Sequence, residues 1–93
     1  MQMSGMPDTH SRQYAHDERM SRGKHALLIK LGSRIERLRK KKGYTQTDLA
    51  VHLDMNRGHL SDIERGKREV GIITLQVIAR GLDTTMSSLL RGL

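Results

Sequence analysis

The sequence predicts an all-α fold, a compact bundle of five short helices with short connections. From residue 25 onward, apolar residues recur three and four positions apart, which is the spacing of one helix face. Thr, Asn and Gly residues that start or stop helices separate these stretches. The apolar run at 70–73 is too short for a strand and leads into a helical pattern. A chain of 93 residues allows one domain at most.

The first helix is predicted from an apolar face at Leu28, Leu31, Ile35 and Leu38. It should end at Gly43, because three consecutive lysines precede this glycine and cations favour a helix C-terminus.

A second helix is predicted over 45–53, where Thr45 can cap the helix and Asp48 can complete a capping box. Its inward face is Leu49, Ala50 and Leu53.

The third helix is predicted over 56–65, with Asn56 as its cap and with Leu60 and Ile63 pointing inward. The turn before it needs a residue that tolerates positive φ, and Asp54 stands there. Two short helices joined by so short a turn have the spacing of a helix-turn-helix.

A fourth helix is predicted over 72–82 and a fifth over 86–91, the latter capped by Thr85. The predicted inward stripe of the fourth helix consists of Ile72, Leu75, Ile78, Ala79 and Leu82.

Residues 1–24 are polar and lack apolar periodicity, so we predict a flexible N-terminal arm there and a folded domain over 25–93. Lys and Arg outnumber Asp and Glu by 17 to 10, and the net charge of +7 favours a polyanionic partner. There is no Cys, no metal-ligand spacing among the histidines, and no apolar stretch approaching a membrane span. We therefore expect no metal, no cofactor, no membrane partner and a cytoplasmic location.

Residues 31–90 resemble the Cro and phage-repressor (XRE) type of helix-turn-helix. The stretches that carry the resemblance are LGSRIERLRKKKGYTQTDLA, LSDIERGKR and LQVIARGL. The sequence is also similar to the small controller proteins of restriction–modification systems. The resemblance implies a lambda-repressor-like fold that binds double-stranded DNA, with Asp54 in the turn where the family usually has Gly.

The third helix should read bases. The resemblance places base contacts at Arg57, Gly58 and Asp62, and Ser61 shares their arc on the helical wheel. Arg pairs bidentately with guanine, Asp can accept from cytosine N4, and a glycine lets the backbone approach closely.

Contacts to the DNA backbone should lie on both sides of this helix. The predicted residues, from the start of the second helix and the end of the third, are Thr45, Gln46, Arg65, Lys67 and Arg68. The resemblance also implies a structural ion pair between Arg39 and Glu64.

An apolar surface predicts a homodimer, because exposed apolar patches usually mark an interface. Its predicted residues are Ile73, Val77, Met86, Leu89, Leu90 and Leu93.

The sequence therefore predicts a homodimeric transcriptional regulator that reads a palindromic operator through the major groove, and no enzyme activity. It is expected to be a restriction–modification controller or a phage or plasmid repressor. One alternative is an antitoxin-type protein-interaction module that captures a protein partner through residues 1–24. The other is a polyanion binder without sequence readout.

Overall fold

The computed structural model describes residues 18–93, and within that range it contains five helices and no strand. The helices are α1 (Glu18–Lys41), α2 (Gln46–His52), α3 (Arg57–Glu64), α4 (Ile72–Gly81) and α5 (Met86–Leu90). The all-α prediction is confirmed. None of the helices in this range is both long and apolar enough to cross a membrane.

The beginning of α1 differs from the sequence-based boundary. The helix starts at Glu18, so residues 18–24 belong to α1, whereas the sequence placed them in the N-terminal arm. Periodicity could not reveal this extension, because the segment carries mostly charged and polar residues and has no apolar stripe. The rest of the predicted arm, residues 1–17, lies outside the described residues.

Side-chain caps fix the starts of the short helices. The Thr45 hydroxyl accepts the Asp48 N–H at 2.9 Å, and the Asp48 carboxylate accepts the Thr45 N–H at 3.0 Å, which completes the predicted capping box of α2. Asn56 and Thr85 likewise accept backbone N–H groups at the starts of α3 and α5. Helices this short are marginal alone, so these bonds act together with packing.

The inward faces of all five helices form the core. The prediction that Ile72 points inward is wrong, because its side chain is 70% exposed. Ile72 is the first residue of α4, and Val70 in the preceding loop packs against the core instead. The fully or almost fully buried apolar residues are Leu31, Ile35, Leu49, Ala50, Leu60, Ile63, Leu75, Ile78, Ala79, Leu82 and Leu89.

The crossing of α1 and α3 is too close for a side chain at Gly32. A Cβ there would collide with the main-chain carbonyl oxygens of Ile63 and Glu64 at the end of α3. A glycine on α1 therefore sets the distance between the two helices. This contact orients α3 relative to the longest helix of the described fold.

Candidate nucleic-acid interface

The turn between α2 and α3 is closed by backbone hydrogen bonds. The Met55 N–H donates to the Ala50 carbonyl at 2.8 Å, and the Asp54 N–H donates to the Val51 carbonyl at 3.1 Å. Asp54 has a φ of 53°, which confirms the positive φ predicted for this position. The side-chain oxygen makes Asp one of the few L-residues that adopt this conformation readily. The two helices are therefore held at a fixed angle by a turn without glycine.

The exposed arc of α3 carries the predicted base-reading residues. Leu60 and Ile63 are buried on one side of the helix. On the other side Arg57 and Gly58 are exposed, and the two further predicted residues, Ser61 and Asp62, are half-exposed. Arg57 is the first residue of the helix and has no ion pair or side-chain hydrogen bond within residues 18–93. Its guanidinium is thus available to an external acceptor.

Gly58 has a structural explanation as well as the predicted functional one. A Cβ at this position would lie 3.1 Å from the Asn56 side-chain oxygen that caps α3. The absent side chain leaves room for that cap, and it also lets an external partner approach the backbone of α3 beside Arg57. The two explanations are compatible.

An ion pair links the exposed arc of α3 to the loop that follows this helix. The Arg68 guanidinium lies 3.6 Å from the Asp62 carboxylate, and both side chains are partly exposed. The Lys67 N–H also donates to the Asp62 carbonyl at 2.9 Å. The pair reduces the repulsion that an unpaired carboxylate would exert on a phosphate backbone, and it holds Arg68 beside α3. Spacing within the sequence did not reveal this pair.

A buried polar network connects α1, α2 and α3. Arg39 Nε donates to Glu64 Oε2 at 2.7 Å, and a second guanidinium nitrogen donates to Glu64 Oε1 at 3.1 Å. The third nitrogen donates to the Tyr44 carbonyl at 2.8 Å. Hydrogen bonding to Glu64 raises the pKa of Arg39 above its ordinary value. Only 6% of each of Arg39 and Glu64 is exposed, so the pair implied by the family resemblance is a buried one.

Gln46 belongs to the same network, which the sequence did not suggest. Its side-chain amide donates to Glu64 Oε1 at 3.0 Å across 18 residues of sequence. The bond ties the first residue of α2 to the last residue of α3. One N–H and the carbonyl oxygen of this amide remain for an external partner, so a backbone contact by Gln46 is compatible with the bond.

Asp48 modifies the expected anion site at the start of α2. Hydrogen bonds from the backbone and the side chain of Thr45 lower the pKa of Asp48, so its carboxylate is charged at neutral pH. That negative charge opposes an anion at the same helix end.

Among the predicted backbone contacts, Arg65 and Lys67 are exposed cations without an ion pair in the described part of the chain.

The predicted dimer surface separates into exposed and buried residues. Ile73, Val77 and Leu90 are 69%, 37% and 43% exposed. Leu89 is fully buried within the protomer, so its assignment to the dimer surface is wrong. It points into the core because α5 packs against α1 and α4. The two remaining predicted residues, Met86 and Leu93, are half-buried against the core.

In the described residues, no group of three or more His, Asp or Glu side chains is placed to hold a metal ion.

Comparison with known proteins assigns the chain to a protein family. The model of the family described as helix-turn-helix matches residues 35–89, a range that contains α2, the turn, α3, α4 and most of α5. The chain belongs to this helix-turn-helix family. The match includes the buried polar network and every residue predicted to contact DNA.

Two similar proteins are restriction–modification control proteins. The helix-turn-helix chain is 39% identical over 64 residues to the control protein C.MunI of Mycoplasma sp, covering 68% of this chain and 86% of that protein. The crystal structure of the controller protein C.AhdI from Aeromonas hydrophila superposes with a TM-score of 0.67 at 34% identity, covering 69% of this chain and 97% of that one.

A second similar structure contains DNA. It is the tetramer of the controller protein C.Esp1396I in complex with its natural 35 base-pair operator. The identity is 36% and the TM-score 0.62, over 68% of this chain and 83% of that one.

Proposed function

We propose that this helix-turn-helix protein is a homodimeric, sequence-specific transcriptional regulator that reads a palindromic DNA operator through the major groove. The observation that carries the proposal is the exposed arc of α3. Arg57 is exposed there and is unpaired within the described residues. Leu60 and Ile63 hold the opposite side of the helix in the core. Such a helix is rigid and presents donors to an external partner, as major-groove recognition requires.

The roles of the residues follow from their positions. Arg57 pairs with guanine O6 and N7, and Asp62 accepts from cytosine N4 when it releases Arg68. Gly58 and Ser61 allow close approach to the bases. Phosphate contacts set the register of α3 in the groove but do not select the sequence. They come from the start of α2 and the end of α3, at Thr45, Gln46, Arg65, Lys67 and Arg68.

The most specific form of the proposal is a controller of a restriction–modification operon. It is supported by the similarity to C.MunI and C.AhdI, and by the operator complex of the similar C.Esp1396I. A homodimer is supported by the exposed aliphatic side chains of Ile73 and Val77 on α4 and Leu90 on α5. Two copies of α3 would then enter successive major grooves, about 34–36 Å apart.

Selection from a pool of randomised duplexes by the full-length protein tests this function. We expect enrichment of an inverted repeat whose half-site centres lie about one helical turn, or a multiple of it, apart. Sedimentation of the complex should show an even number of protomers on each duplex.

Enrichment of no sequence at all would contradict the proposal and favour a polyanion binder without sequence readout. A single half-site bound by one protomer would contradict the homodimer alone. Stoichiometric capture of the protein encoded by the adjacent gene, combined with failure to select DNA, would favour the antitoxin-type alternative.

A further inference from the structure

Apart from the cations at the end of α3, a second group of cations lies on α1. Lys30, Arg34, Arg37 and Lys41 follow one another at spacings of four, three and four residues, so they share one face. Gly32 marks the face that touches α3. At about 100° per residue, Arg34 lies about 200° from Gly32 around the helix. The cationic face therefore points away from α3.

Arg34 joins this face to the end of α5. One of its guanidinium nitrogens donates to the Leu89 carbonyl at 2.9 Å and to the Arg91 carbonyl at 2.6 Å. These carbonyls stand at a helix end, where no further helical N–H can satisfy them. The bonds fix the segment after α5 alongside α1.

A groove runs between α1 and that segment. It consists of two adjoining clefts of about 400 and 280 Å³, with Arg34 and Arg37 in the walls of both. Ile29 and Leu93 line the first cleft, and Arg91 lines the second. We call this feature the α1 groove. It has an apolar end and a cationic middle.

The charges of the α1 groove are not balanced. Lys30, Arg37 and Arg91 have no ion pair in the described part of the chain. The nearby carboxylates of Glu36 and Asp83 pair with other cations, which lie outside the walls of the groove. Uncompensated cations in a concave site attract an anionic partner.

We propose that the α1 groove binds an acidic peptide segment of a partner protein. An apolar side chain of the segment sits between Ile29 and Leu93, and its carboxylates pair with Arg37 and Arg91. Ile29 is 54% exposed, so its contact with the segment removes apolar surface from water. The described lining has an apolar end and contains no aromatic side chain. The apolar end favours a peptide over duplex DNA, whose backbone offers phosphates but no aliphatic side chain. The lack of aromatic side chains argues against single-stranded nucleic acid, which binds through base stacking.

This inference goes beyond the proposed operator binding and does not depend on it. The cationic middle of the groove points away from α3, so DNA on the exposed arc of α3 leaves Arg34 and Arg37 open to the peptide; the apolar end at Ile29 lies beside Gly66, just after α3. A regulator with such a groove would recruit its partner to the bound site.

A synthetic peptide of the sequence Glu-Glu-Leu-Glu-Glu, blocked at both ends, is the probe, with the Leu→Ser peptide as its control. The ¹⁵N-labelled full-length protein is titrated and followed by NMR. We expect one-to-one saturation with shifts centred on Ile29, Arg37 and residues 91–93. The Leu→Ser peptide should bind about tenfold more weakly, because it lacks the apolar anchor.

Charge reversal at Arg37 tests the groove itself. Arg37→Glu should weaken peptide binding by about tenfold, since it replaces an attractive pair with a repulsive one. Lys40→Glu makes a comparable change in net charge on α1 but lies outside the lining, so it should alter the affinity by less than about threefold. Both variants should remain dimeric and should select the same operator as the wild type.

Other outcomes overturn the proposal. Shifts on the arc of α3, equal losses in the two variants, or equal binding of the two peptides would show unspecific attraction. Displacement of the peptide from the groove by a random duplex, with shifts at the same residues, would assign the groove to nucleic acid. Loss of the dimer in Arg37→Glu would assign it to the protomer interface. Because operator selection is measured separately, its failure is distinguishable from failure of peptide binding.

Discussion

Arg39→Met removes one half of the buried pair and tests what holds α3 in place. The substitution deletes the 2.7 and 3.1 Å hydrogen bonds to Glu64 and leaves that carboxylate with the 3.0 Å bond from Gln46. Only 6% of Glu64 is exposed, so water cannot replace the lost donors. Removing one partner of a buried pair costs about 3–5 kcal/mol. A small domain has a total free energy of unfolding of only about 5–15 kcal/mol.

The double variant Arg39→Met/Glu64→Leu should be more stable than the single one. It removes the stranded charge, and the remaining losses are the hydrogen bonds to the Tyr44 carbonyl and from the Gln46 amide. At about 1 kcal/mol each, these losses total about 2 kcal/mol. The second substitution should therefore restore about 1–3 kcal/mol of the free energy of unfolding.

Urea unfolding followed by far-UV circular dichroism measures these differences through the midpoint and the slope. If Arg39→Met is largely unfolded in water, a fixed concentration of sulfate, which stabilises folded states, brings all variants into range. Lys40→Met is the control on the exposed side of α1 and should stay within about 0.5 kcal/mol of the wild type. A cost below about 1 kcal/mol for Arg39→Met, or a double variant less stable than the single one, would show that the buried pair does not hold α3 in place.

Three further predictions concern the dimer interface, the DNA backbone contacts and the capping box of α2. Ile73→Asp should give a folded monomer, as measured by sedimentation and circular dichroism, because it places a charge on the proposed interface. The control Val51→Asp changes an exposed aliphatic residue of α2 and should leave the dimer intact. An Ile73→Asp variant that still dimerises would place the interface elsewhere. Lys67→Ala should weaken operator and random DNA alike and reduce the salt slope of binding by about one, whereas a loss confined to the operator would make Lys67 a base reader. Hydrogen bonds from Thr45 hold the pKa of the Asp48 carboxyl below its ordinary value of 3.8. The charged carboxylate therefore stabilises the fold fully above pH 3.8. This stabilisation is lost as the pH falls through the lowered pKa. Asp48→Asn should therefore flatten the decline of the unfolding free energy in acid, and an unchanged decline would show that the carboxylate does not stabilise the fold.

The sequence was most informative where the structure depends on neighbours three or four residues away. The capping box of Thr45 and Asp48 is a local pattern, and so is the cap at Asn56. Positive φ at Asp54 was predictable because the turn requires it and few residues adopt it. The buried faces of α2 and α3 followed from helical spacing alone.

The sequence was least informative where residues distant in the chain meet. Periodicity put Ile72 on the inward stripe of α4, but the buried part of that stripe begins only at Leu75, one turn later. It left Leu89 on the surface because it could not show how α5 packs. The bond from Gln46 to Glu64 spans 18 residues, and no local pattern encodes it. These contacts depend on how the helices cross, which spacing within one helix does not determine.

We infer that α3 reads base sequence through Arg57, and the affinities for two duplexes test this role. The affinities of the wild type and of Arg57→Ala are determined at one salt concentration for the selected operator and for a random duplex of equal length. We expect the wild type to prefer the operator by at least about 10³-fold. Arg57→Ala should lose about 1–3 kcal/mol on the operator and almost nothing on the random duplex. An equal loss on both duplexes would make Arg57 a phosphate contact and would exclude it as a base reader.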